Sequence, residues 1–372
     1  MLMVVFGAGA SFDSSPTYSI GAGPPGASIS DQNNAYYRPP LAKDLFANRP
    51  LFIEAIDRFP QCKTIVPRLR APAVISGERS IEAVLQDIEE EARTYAKGPQ
   101  ELAAVRCYLQ RALSECQIGW RGVTIGVTNY LTLLREIERM HRGEERVCLV
   151  TFNYDTLLED ALRALGHRID GMEAYIDTPT LFRVFKLHGS INWAQTVANR
   201  VPVNVNPQAW LSVLTYLIEH AAELRISDTF VMCDPRTMGV ADGVAAFPAI
   251  AIPIEKKNQF VCPQTFIDRL TEVLPNVSKI LVIGWRATEA HFLELLKRNL
   301  GPGVQLYIVA GQPPLAGMKN PPGEVTRVNI CRALSNKLPQ ISTIDPGGFT
   351  DFVGSGRATS FLEGGPERWW RG

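Results

Sequence analysis

The sequence lacks any excess of charge: 38 Lys+Arg balance 38 Asp+Glu over 372 residues. That balance excludes broad electrostatic capture of nucleic acid or of an anionic membrane, so no direct sequence-specific nucleic-acid binding is expected. It also lacks paired cysteines. The seven present (Cys62, Cys107, Cys116, Cys148, Cys233, Cys262, Cys331) are scattered, with no CxxC or CxxxC spacing. No zinc or other metal site is therefore expected, and the thiols fit a reduced, cytoplasmic chain. Apolar runs stop well short of the roughly 20 residues that a membrane helix needs. The opening MLMVVFGAGAS has neither a basic n-region nor a long h-region, which predicts no signal peptide. Internal repeats are missing too. With 46% hydrophobic, 20% charged and 9% aromatic residues, the composition excludes disordered, collagen-like and coiled-coil classes and fits about two domains' worth of ordinary globular chain.

Five short apolar, β-branched runs are present, each ending at glycine or a turn: Met1 to Phe6, Val147 to Phe152, Phe182 to Leu187, Lys279 to Ile283 and Val304 to Val309. Continuous apolar runs of this length predict strands of a parallel sheet covered on both faces. Leu157, Leu158, Ala161, Leu162 and Leu165 give a helix stopping at Gly166, and a second helix is expected over Thr288 to Leu300. The alternation predicts an α/β fold, a Rossmann-like doubly wound parallel sheet with a small helical domain inserted. The expected partition is a core of 1–48 and 145–311, a helical insertion at 49–144, a further insertion at about 194–245, and a C-terminal extension at 312–372. Helical spacing supports the first insertion at Ile81, Val84, Leu85 and Ile88, and the second at Trp210, Val213, Leu214 and Leu217. The rest of the second insertion reads as loop.

Polar clusters fall at the ends of the strands. Gly7, Ala8, Gly9, Ala10 and Ser11 form GAGAS directly after the first, where glycines let a pyrophosphate approach backbone N–H groups. The third glycine of a dinucleotide fingerprint is replaced by Phe12, so a plain strand-to-helix turn is an equal reading. Thr151, Phe152, Asn153, Tyr154 and Asp155 close the second strand. Asn153 offers a donor and an acceptor together, and Asp155 can accept from a carboxamide N–H₂ or simply cap a helix. His188 follows the third strand in KLHGSINW, one of only five histidines, placed to take a proton from a ribose hydroxyl or water. Gly284, Trp285 and Arg286 end the fourth, and Gly311 follows the fifth. Between Asp13 and Pro40, 13 of 28 residues are Gly, Pro or Ser, a composition that suits a cover over bound ligand.

The order GAGAS, TFNYD, KLHGSINW, the proline-rich FPAIAIPIEKK and VIGW before an amphipathic helix resembles the sirtuin-like domains of bacterial antiphage defence. The resemblance spans about residues 1–311. It implies NAD⁺ as substrate and a NAD⁺ glycohydrolase releasing nicotinamide and ADP-ribose, with Asn153 and His188 as the functional pair and Asp155 on the nicotinamide side. It implies cofactor contacts from Gly7, Ala8, Gly9, Ala10, Ser11, Thr151, Tyr154, Gly284, Trp285, Arg286 and Gly311. A homo-oligomer, or a partner such as a hexameric HerA-type ATPase or another phage-sensing protein, would regulate it. Deacetylase sirtuins carry a zinc module built from two cysteine pairs, missing here, and Trp285 and Arg286 stand where the family has tyrosine and serine. The rival readings are a non-catalytic NAD or ADP-ribose sensor and an NAD-dependent protein deacylase or ADP-ribosyltransferase.

Overall fold

The computed structural model describes residues 1–16, 36–141, 145–177, 179–254, 260–311, 321–334, 336–338 and 342–363. Most of the glycine- and proline-rich segment after GAGAS, together with Lys256 and Lys257 of the proline-rich motif, lies outside the described residues.

The five apolar runs are strands β1 (Leu2–Phe6), β2 (Val147–Thr151), β3 (Phe182–Lys186), β8 (Lys279–Ile283) and β9 (Gln305–Val309), and β10 (Thr343–Asp345) is a sixth. All pair in parallel, in the order β10-β9-β8-β1-β2-β3. Relabelled in chain order this is 6-5-4-1-2-3, the doubly wound arrangement whose order reverses between β1 and β8. The central strands are apolar between their end residues because both faces are covered. Asn129–Met140 and Leu157–Ala164 pack together in one helical layer, and Ala290–Asn299 and Pro322–Leu334 in another, as right-handed crossovers require.

The segment 312–372 is more than an appendage. Besides β10 it supplies helices Gly348–Gly354 and Arg357–Glu363, and its Phe349 lies 5.5 Å edge-on to Tyr130 and 6.3 Å from Phe6. The last helix of segment 49–144, Asn129–Met140, also belongs to the parallel sheet's core.

A second core joins helices Pro50–Arg58, Ile81–Ala92 and the first half of the 27-residue helix Gly98–Thr124. At a rise of 1.5 Å per residue that helix is about 40 Å long, and it runs from this core at Cys116 into the first at Trp120. Helix Trp210–Glu219 packs here too, as does an antiparallel sheet of order β5-β4-β7-β6. Its strands are β4 (Gly189–Val197), β5 (Ile226–Met232), β6 (Val240–Ala241) and β7 (Val244–Ile250). The stretch that reads as loop in the sequence thus contains β5, β6 and the start of β7. Only two residues, Leu187 and His188, separate β3 from β4, so His188 sits where the chain leaves one sheet for the other. Gly189 makes the change of direction possible: its φ is +79°, and a Cβ there would lie 1.9 Å from the Ala249 carbonyl oxygen.

Candidate functional site

Parallel register aligns Phe6 with Thr151 and Ile283, Thr151 with Lys186, and Ile283 with Val309. Every strand-end motif therefore leaves the sheet at the same edge, where open α/β sheets hold their ligands. The two central turns meet at the reversal point. Gly7 N–H donates to the Ile283 carbonyl and Gly9 N–H to the Gly284 carbonyl, both at 3.0 Å. A Cβ on Gly7 would lie 2.6 Å from the Gly284 oxygen, and one on Gly9 would lie 2.8 Å from the Gly284 Cα. The glycines of GAGAS are thus fixed by the approach of the neighbouring turn. Helix Ala8–Phe12 follows, with Ala10 and Ser11 buried and Ala8 and Gly9 half-buried.

Asn153 is 6% exposed, and its amide nitrogen is engaged. The two Nδ2 hydrogens are shared among the Gly7 carbonyl and Ser11 Oγ at 2.9 Å and the Tyr130 hydroxyl at 3.0 Å. Ser11 Oγ and the Tyr130 hydroxyl lie 2.9 Å apart, and Asn153 N–H donates to Thr151 Oγ1 at 3.1 Å. This network ties the β2 turn to the β1 turn through a helix 23 residues away in sequence. Burial pushes the Tyr130 hydroxyl well above its ordinary pKa, so it stays protonated.

His188, 1% exposed, lies among rings: Phe152 at 4.8 Å, His291 at 6.2 Å and Tyr154 at 6.4 Å between centroids. Phe152 also stacks on Trp285 at 5.3 Å and 17°, whose Nε1 donates to Glu289 Oε2. Trp285 is therefore a buried wall of the same cluster. Arg286 is exposed and its carbonyl accepts from Asn329 Nδ2, and Gly311 is half-buried, with no atom of the described residues within 4 Å of a Cβ built on it. Asp155 stands one residue before Thr156, the N-cap of helix Leu157–Ala164, and its Oδ1 accepts from Leu157 N–H at 3.1 Å. Tyr154 is half-buried, and its carbonyl accepts from Ile191 N–H at 2.9 Å and Ser190 Oγ at 3.2 Å.

Several participants carry no signal in the sequence. Tyr130 reads as a core residue at helical spacing. His291 sits inside a helix with nothing to mark it. Asp13, just past GAGAS, is buried, with Oδ1 and Oδ2 accepting from the Thr350 hydroxyl and N–H. Burial raises its carboxyl above the usual range, against the pull of Thr350 and Arg38. A raised folded-state pKa means that the fold takes up a proton the unfolded chain leaves in solution. Asp13 thus favours folding on the acid side and loses that contribution as pH rises through the shifted value. In urea unfolding carried from the ordinary aspartate range toward neutral pH, wild type is expected to lose stability relative to Asp13→Asn. A difference that stays constant with pH would show that Asp13 is hydrated in solution.

Among the described residues no group of three His, Cys, Asp or Glu side chains is placed to hold a metal ion, and no helix is long and apolar enough to cross a membrane. Among solved structures, the chain is similar to Sir2Tm bound to a propionylated peptide, at 13% identity and a TM-score of 0.36 over 98% of this chain and 94% of that one. It is also similar to a Sir2 homolog–NAD complex, at 14% identity and a TM-score of 0.32 over 90% of this chain and 88% of that one. No curated protein matches it. Residues 147–204, the stretch from β2 past the end of β4 that carries Asn153, Asp155 and His188, match the family model described as a SIR2-like domain.

Proposed function

We propose that this chain hydrolyses NAD⁺ to nicotinamide and ADP-ribose and acts as an antiphage effector by depleting NAD⁺. The observation that carries the reading is the convergence of the GAGAS turn, Asn153 and His188 on the edge where the strand order reverses, within and beside the segment that matches the SIR2-like domain. Nicotinamide in NAD⁺ is already cationic and leaves without a general acid, so the barrier lies in an oxocarbenium-like ribose. In this reading His188 accepts a proton from the ribose hydroxyl or the attacking water. Asp155 Oδ2, which makes no hydrogen bond among the described residues, accepts from the carboxamide N–H₂. The turn at Ala8 and Gly9 meets the pyrophosphate, with Thr151 and Tyr154 on the ribose side and Arg286 and Gly311 toward the adenosine half. Asn153, its amide engaged by Gly7, Ser11 and Tyr130, fixes the geometry of the floor.

The test is nicotinamide release from NAD⁺, with products identified by mass spectrometry. Wild type is expected to yield nicotinamide and ADP-ribose, and His188→Ala to be slower by about 100-fold or more. Equal rates would remove His188 from the chemistry. The burial of Asn153 and His188 also favours a second reading, an NAD⁺ sensor. NAD⁺ binding without nicotinamide release would select it. A closed resting site fits control by assembly, either as a homo-oligomer or with a hexameric HerA-type ATPase or another phage-sensing protein. Release that rises with protein concentration or on adding the partner supports this.

A further inference from the structure

Beneath the Asn153–Asp155 turn lies a buried charge that the chemistry above does not use. Lys186, the last residue of β3, is 0% exposed. Its Nζ lies 3.0 Å from Glu159 Oε1, and Glu159 is itself 4% exposed. The Tyr175 hydroxyl donates to the same Oε1 at 3.0 Å and accepts from Trp193 Nε1 at 3.2 Å. Burial raises the Glu159 carboxyl while the Lys186 charge draws it down. Lys186 Nζ makes one more contact, donating to the backbone carbonyl of Asp155. The ammonium thereby joins the first turn of helix Leu157–Ala164 to the strand-end turn in front of it.

A buried ion pair is weak evidence for stability, since apolar residues of similar volume often serve as well. An apolar side chain cannot, however, donate to a carbonyl. The rest of the turn is held from above and beside: Ser190 and Ile191 hold the Tyr154 carbonyl, and Gln117 Oε1 accepts from Thr156 N–H at 2.7 Å. Only Lys186 reaches the Asp155 carbonyl among the described residues.

We infer that Lys186, with Glu159 as its counter-ion, is a positioning residue that sets the Asp155 carboxylate against the nicotinamide carboxamide. The inference rests on the NAD⁺ reading above. Lys186→Met alone strands the Glu159 carboxylate and is expected to fold poorly, so the informative variant is Lys186→Met with Glu159→Gln, which removes both charges and keeps a partner for Tyr175. In the ligand-free protein, hydrogen exchange at the amides of Asn153, Thr156 and Leu157 is expected to accelerate about tenfold in this double variant. With NAD⁺, KM and the inhibition constant for nicotinamide are each expected to rise about tenfold, the loss of one hydrogen bond to a charged group. A population of partly unfolded enzyme lowers kcat and leaves both constants in place. Unchanged exchange at these amides overturns the positioning role whether or not NAD⁺ is a substrate. Accelerated exchange with wild-type KM and inhibition constant overturns the link to nicotinamide. A wild type that neither binds nor cleaves NAD⁺ overturns the NAD⁺ reading, while the exchange result still decides what Lys186 holds.

Discussion

Replacing Gly284 with alanine is expected to cost about 2–5 kcal/mol, enough to leave much of the chain unfolded at 37 °C if its stability is of ordinary size. Two effects add. The residue has φ +61°, a conformation that costs an L-residue about 1–2 kcal/mol. The new Cβ would also lie 2.3 Å from the Ala10 nitrogen and 2.5 Å from the Gly9 carbonyl carbon, backbone atoms that cannot step aside, and overpacking of this kind costs about 1–3 kcal/mol. Gly166 separates the two. Its φ is +89°, with nothing within 4 Å of a built Cβ, so Gly166→Ala carries the conformational penalty alone, about 1 kcal/mol. Urea unfolding of both variants gives the contact contribution by difference. If Gly284→Ala proves no worse than Gly166→Ala, the β1 and β8 turns do not touch in solution.

That contact also shows what sequence can and cannot convey. The motifs GAGAS and VIGW announce strand-end turns, because an apolar run closing on glycine has few other uses. What the glycines accommodate is another matter. In the sequence Gly7 and Gly9 read equally as room for a ligand or as a plain turn, and in the structure their missing side chains make room for Gly284. The five long strands of the parallel sheet were legible because strands buried on both faces are mostly apolar, with polar residues chiefly at their ends. Strand β10 was not, since Thr343–Asp345 is three residues long and lies at the sheet's edge, where little apolar surface needs covering. Strand β7 hides behind Pro248, which argues against a strand in any pattern-based reading, yet Pro248 pairs with Ala194 in the antiparallel sheet.

The polar partners were illegible for a different reason. Glu159 occupies the position after Leu157 and Leu158 in a helix whose apolar face is otherwise clear, so it reads as solvated. Its burial comes from Lys186, which in turn reads as the wetted end of a strand. Each charge makes sense inside the protein only beside the other, and nothing in either local pattern says that they meet. Tyr130 is hidden likewise: its ring satisfies the helical spacing of the Asn129–Met140 helix, and only its hydroxyl, reaching Ser11 and Asn153, belongs to the site.

The second large effect concerns that hydroxyl's neighbour. Asn153→Asp keeps the size of the side chain and replaces a donor by an acceptor, 2.9 Å from the Gly7 carbonyl oxygen. The variant loses its bond to Gly7 and buries a charge there, and a stability loss of about 2–4 kcal/mol at neutral pH is expected. Asn153→Ala removes the donor without adding charge and is expected to cost about 1–3 kcal/mol, the price of the stranded carbonyl. In Asn153→Asp the difference from Asn153→Ala should narrow as pH falls and the introduced carboxyl takes up a proton that it can donate to Gly7. Nicotinamide release is expected to fall about 100-fold or more in both, since the floor between the β1 and β2 turns loosens where the sugar would sit. His188→Gln fills most of the volume of the buried imidazole, shares none of the Asn153 bonds and should lose activity while retaining most of its stability. Denaturant unfolding and NAD⁺ turnover measured side by side then separate a clamp from a proton acceptor. An Asn153→Asp protein as stable as wild type would show that the Gly7–Ser11–Tyr130 network does not form. An Asn153→Ala enzyme with undiminished turnover would show that the clamp has no part in the reaction.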